Sequence, residues 1–176
     1  MPRVATDLYA AMTEIENILK LIHANFRAEP VPNSFFWKEA KIRQYDDIAE
    51  ELWSRIANRR WTEITMSDWE MTGYRVAVNR EYMEPATFSY YMPSLLVGAL
   101  QDIDFIEMAL EGMVPFNKDR SPRGKWWGAF ATSFSYDQRR TLCSFLAHVR
   151  HFYGRSLGMS KRALLYDAEI IWPSNE

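Results

Sequence analysis

Two histidines, His148 and His151, have a spacing that could bring two imidazole rings to one metal ion. They lie three residues apart in a segment with helical periodicity, where such positions are neighbours on the helix surface. A metal centre needs further ligands, and the carboxylate-x-x-His pattern of di-iron bundles precedes neither histidine. We therefore expect no metal site and no cofactor.

The single cysteine, Cys143, is the candidate for nucleophilic chemistry. A thiol becomes a nucleophile only beside a base, and neither His23 nor His148 is placed next to Cys143 by the sequence alone. The sequence also contains no Gly-rich phosphate loop, no Gly-x-Ser-x-Gly and no His-Glu-x-x-His. We interpret Cys143 as structural and expect no catalytic residue. One cysteine also excludes a disulfide within the chain.

A stretch without Lys or Arg, from Pro85 to Asn117, contains four carboxylates: Asp102, Asp104, Glu107 and Glu111. On a helix, carboxylates three or four residues apart repel each other unless a positive group faces them. Two explanations stay open. Either the basic residues at 118–125 fold back and neutralise the carboxylates, or the carboxylates form a docking patch for a basic partner.

Residues 112–134 are predicted to form a long basic loop with two adjacent indoles, Trp126 and Trp127. A basic, aromatic loop could bind nucleic acid through phosphate contacts and base stacking. The whole chain has a net charge of −2, however, so it lacks the basic footprint of a nucleic-acid-binding protein. We interpret the two tryptophans and the four carboxylates together as partner-binding residues.

Helical periodicity dominates the elements that must position these residues. The apolar pattern and the turn residues predict an all-α bundle of about six or seven helices. The predicted segments are 6–27, 34–57, 67–79, 85–101, 103–110, 135–153 and one from Ser160 to before Pro173. The fifth is closed by Gly112, and Ser135 with Gln138 forms a capping box that opens the sixth.

The central helix is predicted from the uncharged run Pro85–Gln101. Pro85 suits a first helical turn, but Pro93 removes an internal hydrogen bond, so we expect a kink or break near residues 89–90. A pocket beside this bend would offer the hydroxyl of Tyr90 or Tyr91, with Arg75 or Arg80 as an anion binder.

Length and composition predict one domain over residues 1–176, with its core at about 6–172. Apolar residues make up 48% of the chain and charged residues 25%, which argues against disorder. The N-terminal residues lack the pattern of a signal peptide, and the uncharged run contains Pro and several hydroxyl residues. We expect a soluble, cytoplasmic protein without a membrane span.

Several motifs occur in an order that resembles a known family. They are Ile22-x-x-x-Phe26, Trp61 with Ile64, Phe88-Ser89-Tyr90-Tyr91-Met92-Pro93, and Phe134-Ser135-x-x-Gln138 before Phe145-Leu146. Together they are similar to an uncharacterised bacterial family of small helical proteins, a domain of unknown function with a Phe-x-Tyr-Tyr-x-Pro signature. The resemblance implies a helical fold and a bacterial origin. It implies no activity and no catalytic residue.

These observations favour a non-catalytic protein-binding domain. The leading hypothesis is a bacterial immunity or antitoxin-type inhibitor, whose partner would be a basic toxin domain. Masking of the toxin would be steric and electrostatic, with the four carboxylates facing basic residues. The alternative is a small enzyme or ligand-binding domain with a pocket beside the bent Phe88–Pro93 helix. The sequence does not predict an oligomeric state.

Overall fold

The computed structural model describes the backbone of residues 2–173 and the side chains of residues 9–173. Within that range the structure has nine α-helices and no strand, apart from an isolated bridge between Phe36 and Met83. The helices are α1 (Pro2–Asn25), α2 (Asp47–Arg55), α3 (Met66–Glu70), α4 (Val76–Tyr82), α5 (Pro85–Gln101), α6 (Ile106–Met113), α7 (Lys125–Thr132), α8 (Tyr136–His148) and α9 (Met159–Ile171). The all-α class is confirmed, and the predicted count of six or seven helices is wrong.

The central helix α5 is buried on nearly all sides and packs against α1, α6, α7 and the 3₁₀ turn Trp61–Glu63. Its side chains Phe88, Tyr91, Met92 and Leu95 are fully buried. The helix is continuous from Pro85 to Gln101, so the predicted break near residues 89–90 is absent and a kink at Pro93 is not confirmed. Burial of the whole helix holds it together where Pro93 removes one hydrogen bond.

The predicted helix at 34–57 is wrong over its first half. Only α2 forms, and the Asp46 carboxylate caps it by accepting hydrogen bonds from the backbone N–H groups of Ile48 and Ala49. The preceding segment instead pairs its backbone with the junction of α4 and α5. Trp37 N–H donates to the Tyr82 carbonyl at 2.8 Å, and Glu84 N–H donates to the Phe35 carbonyl at 2.8 Å. These long-range bonds outweigh the local helical pattern.

The predicted helix at 67–79 is divided into α3 and α4 by a turn at Gly73, where φ is +73°. Buried polar side chains hold this turn: Asn79 Nδ2 donates to the Thr72 hydroxyl at 2.7 Å, and that hydroxyl donates to the Trp69 carbonyl at 2.8 Å. A residue without a Cβ adopts positive φ without strain. Helix α4 begins after this turn, and its residue Arg80 is buried in the core.

The predicted loop at 112–134 is a loop only over residues 114–124 and 133–134, and the rest of it is helical. Met113 ends α6, residues 114–124 form the connection, and α7 begins at Lys125. Gly112 lies inside α6 and does not close it. Gly and Pro residues through this stretch indicated a loop, but the apolar side chains of α7 pack against α5 and make the helix favourable.

The C-terminal half follows the sequence pattern more closely. The Ser135–Gln138 capping box is confirmed, and α8 continues into a π-helical turn, Val149–Tyr153, that ends at Gly154. The last helix begins at Met159, one residue before the predicted start. Within the described residues, no helix combines the length and the apolarity that a membrane span requires.

Candidate functional site

The four predicted carboxylates do not share one exposed face. Asp102 and Asp104 are exposed, Glu107 is half-buried, and Glu111 is buried. Glu111 forms an ion pair with Arg75, whose Nε donates to the Glu111 carboxylate at 2.6 Å. Hydrogen bonding to Glu111 raises the pKa of Arg75. Glu111 therefore has a structural role. The other three carboxylates lie near the start of α6 and remain candidates for partner binding.

The basic residues at 118–125 do not neutralise those carboxylates. Arg120 forms an ion pair with Asp167, Arg123 with Asp119 at 3.2 Å, and Lys125 with Glu39 at 3.1 Å. The acidic end is instead approached by a lysine of α9, because Lys161 Nζ lies 3.5 Å from the Asp104 carbonyl oxygen. The Asp102 carboxylate accepts the backbone N–H of Asp104 at 3.0 Å and caps the 3₁₀ turn Ile103–Phe105.

Trp126 and Trp127 lie on α7 with their rings in the core, Trp127 buried and Trp126 half-buried. The Trp126 ring lies 5.9 Å from that of Phe88 and 4.9 Å from that of Phe130. Its indole N–H donates to the Met83 carbonyl at 2.9 Å. Rings so enclosed cannot stack on the bases of a nucleic acid, but they form one wall of a pocket.

Arg80 lies against these two rings. It is a charged side chain inside the apolar core, and it is 0% exposed. Its guanidinium carbon lies 4.9 Å from the centre of the Trp127 ring and 5.8 Å from that of Trp126. Nη1 donates to the carbonyl oxygens of Glu111 and Val114. Nε and Nη2 have no hydrogen-bond partner among the described residues.

Arg80 lies where the C-terminal ends of two helices, α4 and α6, meet. It lies in the last turn of α4, and the carbonyls that it binds belong to the C-terminal end of α6. The last carbonyls of a helix lack partners within the helix and carry its partial negative charge, which favours a cation there. Nη1 therefore caps α6, whereas the opposite edge of the guanidinium has no such role.

Burial lowers the pKa of Arg80 to about 10, and the nearby carboxylates Glu81 and Glu111 offset part of that effect. The guanidinium consequently stays charged at neutral pH. No carboxylate within the described residues forms an ion pair with it. A buried cation without a counter-ion is costly, so a bound anion would be favoured here.

Arg80 lines a pocket of about 480 Å³ between α4, α7 and the segments at 37–41 and 116–123. Its aromatic lining residues are Trp37, Tyr82, Phe116, Trp126 and Trp127. Charged residues also border it: Lys41 and Arg123, and Glu39 and Glu81. A concave aromatic pocket with one buried cation has the composition of a small-molecule site.

The pocket expected beside the Phe88–Pro93 helix also exists, with about 500 Å³ and a lining that includes Ser89 and Tyr90. Its phenol is already used: the Tyr90 hydroxyl donates to the Ala28 carbonyl at 2.6 Å and accepts the Trp61 N–H at 3.3 Å. Tyr91 is fully buried, and its hydroxyl donates to the Arg59 carbonyl at 2.9 Å. Burial raises the pKa of both phenols. Both hydroxyls therefore serve the fold.

A groove of about 560 Å³ lies between α7, α8 and the end of α9, and Cys143, Arg139 and Arg140 border it. Burial raises the pKa of the Cys143 thiol, which makes it a poor nucleophile. The thiol is 3.5 Å from the Trp172 carbonyl oxygen. The structural interpretation of Cys143 accordingly remains the better one.

His148 is fully buried, and neither ring nitrogen has a hydrogen-bond partner among the described residues. The Glu14 carboxylate lies 3.9 Å from its Nδ1. Burial lowers the pKa of His148, and Glu14 opposes that shift. His151 is exposed, so the two histidines do not converge. The described residues contain no group of three metal-ligating side chains.

The sequence pattern pointed to Arg80 as a possible anion binder in a pocket with Tyr90 or Tyr91, whereas the pocket that Arg80 lines contains neither tyrosine. The pattern also missed Trp37, Tyr82 and Phe116, which three separate segments bring to the pocket. The useful signal was an arginine inside an apolar helical pattern, Val76-Ala77-Val78-Asn79-Arg80. A charged residue on a core face rarely lacks a partner.

A family model described as a family of unknown function (DUF6714) matches residues 14–162. The resemblance to an uncharacterised family is confirmed at that level, whereas the bacterial origin and the Phe-x-Tyr-Tyr-x-Pro signature stay predictions. No curated protein and no solved structure matched the chain.

Proposed function

The chain belongs to the family of unknown function DUF6714, and we propose that it is a non-catalytic binding domain that holds an anionic ligand in the pocket lined by Arg80. One observation carries the proposal: Nε and Nη2 of a fully buried arginine have no partner among the described residues. An anion at that edge would neutralise the charge and satisfy both donors.

Energetics favour this assignment over a purely structural role. Capping α6 uses the two N–H groups of Nη1 alone, and a neutral amide side chain with two N–H donors would do the same without the cost of a buried charge. Removing a charged group from water costs several kcal/mol, and a bound counter-ion offsets part of that cost. Arg80 therefore supplies more donors and more charge than the end of α6 requires.

Nε and Nη2 are shielded from solvent, so a ligand in the pocket reaches them only if the pocket wall moves. Phe116 borders the pocket and is exposed, in the connection between α6 and α7. Side chains in such connections change rotamer on a fast timescale. We propose that Phe116 moves as the ligand enters.

The test is a titration of the purified chain with acetate and with inorganic phosphate at constant ionic strength. The indole N–H signals of Trp126 and Trp127 in two-dimensional NMR spectra would report binding. We expect saturable shifts in wild type and in the control Arg162→Gln, an exposed arginine on α9. Arg80→Gln should abolish them. Phe116→Glu, which adds a negative charge at the pocket without changing the core, should weaken them. Unsaturable or Arg80-independent shifts would overturn the proposal.

A second candidate is the inhibition of a basic toxin in the bacterial cytoplasm, as an immunity or antitoxin-type protein. The favouring observation is that Asp102, Asp104 and Glu107 lie within six residues at one end of α6, and none forms an ion pair among the described residues. A cluster of like charges of this kind raises the association rate with a basic partner. Glu111 is excluded from this surface by its ion pair with Arg75.

This candidate is tested with the triple variant Asp102→Lys, Asp104→Lys and Glu107→Lys. The matched control reverses three exposed acidic residues elsewhere: Glu16, Glu50 and Glu70. Both forms and wild type would be used to capture proteins from the source cells, followed by quantitative mass spectrometry. A basic protein retained by wild type and control but lost by the triple variant supports the hypothesis. Equal capture by all three rejects it.

A further inference from the structure

We infer that the ligand of the Arg80 pocket is a monocarboxylate carried on a flat aromatic ring. This inference rests on the proposed function, because it specifies the chemistry of the anion that the pocket would hold. It draws on three features of the pocket: the edge of the guanidinium that is free, the balance of charges around it, and the aromatic lining.

The free edge of Arg80 favours a carboxylate. Nε and Nη2 are the two donors that point in parallel from one side of a guanidinium, and their spacing matches the two oxygens of a carboxylate. Nη1 already binds the carbonyls of Glu111 and Val114. A carboxylate would use Nε–H and one N–H of Nη2 in a single plane, so that one N–H of Nη2 would remain for a further acceptor.

The charges around the pocket favour a single negative charge. Glu39 is paired with Lys125 and Arg123 with Asp119, so these four largely cancel. Of the other charged residues that line the pocket, Lys41 is positive and Glu81 is negative. Arg80 therefore supplies the net charge. A monoanion would balance it, whereas a dianion would leave one charge uncompensated in a poorly solvated place.

The aromatic lining favours a flat ring next to the carboxylate. Five aromatic side chains line the pocket, and its volume of about 480 Å³ suits a small organic ligand. Trp126 and Trp127 flank the guanidinium, and their rings are tilted 68° to each other. A flat ring packed against the aromatic lining of the pocket gains offset or edge-to-face contacts beyond its apolar area.

Two sources could carry this chemistry: a free aryl carboxylic acid, or the C-terminal aromatic residue of a peptide. The experiment measures dissociation constants from the indole shifts for four probes at constant ionic strength: benzoate, cyclohexanecarboxylate, acetate and phenyl phosphate. We expect benzoate to bind about three- to tenfold more tightly than cyclohexanecarboxylate, the ratio that aromatic contacts provide. Phenyl phosphate should bind more weakly than benzoate.

The source is identified with Gly-Gly-Phe and its C-terminal amide. Tighter binding of the free acid than of benzoate assigns the site to a chain terminus, and the opposite order assigns it to a small aryl acid. The amide should not bind in either case.

Two outcomes would overturn the inference and leave the proposed function standing. In the first, phenyl phosphate binds as tightly as benzoate. In the second, cyclohexanecarboxylate binds as tightly as benzoate. If no probe gives an Arg80-dependent shift, the proposed function itself fails. Phe116→Leu keeps the pocket apolar but removes one aromatic face. It should reduce the ratio between the affinities for benzoate and for cyclohexanecarboxylate. An unchanged preference would show that Phe116 does not contact the ring.

Discussion

The guanidinium of Arg80 lies over the indole of Trp127, 4.9 Å from the ring centre, with neither side chain more than 8% exposed. Two residues from different helices, α4 and α7, thus form a cation–π contact inside the core. Such contacts strengthen when water is excluded. The pair forms part of the pocket wall at the point where the proposed anion would bind.

Replacing Arg80 by Lys should destabilise the chain although the charge is kept. Lys has no planar fork: its compact ammonium could donate to the two carbonyl oxygens at the end of α6 but could not also cover the Trp127 ring. We expect the free energy of unfolding in urea to fall by about 1–3 kcal/mol, the cost of imperfectly satisfied buried polar groups. The exposed control Arg162→Lys should change it by less than about 0.5 kcal/mol. Equal stability of both variants would show that the fork is not needed.

Arg75→Gln should destabilise the chain more than Glu111→Gln does. Removing Arg75 leaves the buried Glu111 carboxylate without its partner, whereas Glu111→Gln keeps a polar group there and frees only the exposed Arg75. We expect the free energy of unfolding to fall by about 1–2 kcal/mol for Arg75→Gln. The expected effect is small for a buried carboxylate because the Arg75 side chain is more than half exposed and solvent weakens the ion pair. Urea unfolding of both variants measures the difference. Arg123→Gln, which breaks an exposed pair, serves as the control and should have almost no effect.

His148 should make the fold less stable in mild acid. Burial lowers its pKa in the folded state below the usual value of about 6.5, so the unfolded chain takes up the proton first. The stabilisation is therefore complete above pH about 6.5 and is lost as the pH falls through the folded-state pKa. Over that interval, His148 can contribute a slope of at most about 1.4 kcal/mol per pH unit.

The measurement compares urea unfolding at several values between pH 7.5 and pH 5 for wild type and His148→Leu. The variant has no proton to bind at this position, so its stability should fall less steeply with decreasing pH. Glu14, Phe152 and Tyr153 face the imidazole and are unchanged in both proteins. His151 adds to the lowering of the His148 pKa, so His151→Gln should retain the pH dependence in a weaker form. Identical slopes for wild type and His148→Leu would contradict the prediction.

Tyr90→Phe and Tyr91→Phe should affect stability and leave ligand binding unchanged. Each removes a hydroxyl that donates to a backbone carbonyl, of Ala28 and Arg59 respectively, at a cost of about 1 kcal/mol. Neither hydroxyl borders the Arg80 pocket. Benzoate titrations of both variants provide the check. Loss of benzoate binding in either variant would indicate that the site lies beside the Phe88–Pro93 helix instead.

The sequence predicted elements well where the signals were local. The Ser135–Gln138 capping box joins residues three apart, and it correctly marked the start of α8. The segment before α2 was wrongly predicted as helix because its hydrogen bonds go to Tyr82 and Glu84, far along the chain. No local pattern contains such a pairing.

The candidate site was only partly predictable for the same reason. Arg80, Trp126 and Trp127 were each singled out from the sequence, but in two different hypothetical features: the tryptophans in the basic loop at 112–134, and Arg80 in a pocket beside the Phe88–Pro93 helix. Their contact depends on the turn at Gly73 and on the packing of α7 against α5. The carboxylates were predicted as one group, and Arg75 removed Glu111 from it through a tertiary ion pair.

Helix α6 joins the two candidate surfaces: Arg80 binds its C-terminal carbonyls, and Asp104 and Glu107 lie at its other end. A helix of eight residues is about 12 Å long, which exceeds the screening length of about 8 Å for exposed charges at physiological ionic strength, but salt screens a buried charge such as that of Arg80 much less. Neutralising Arg80 with an anion would therefore make the potential at the acidic end more negative. Occupancy of the pocket and attraction of a basic partner would then be thermodynamically linked, each strengthening the other without any change of shape.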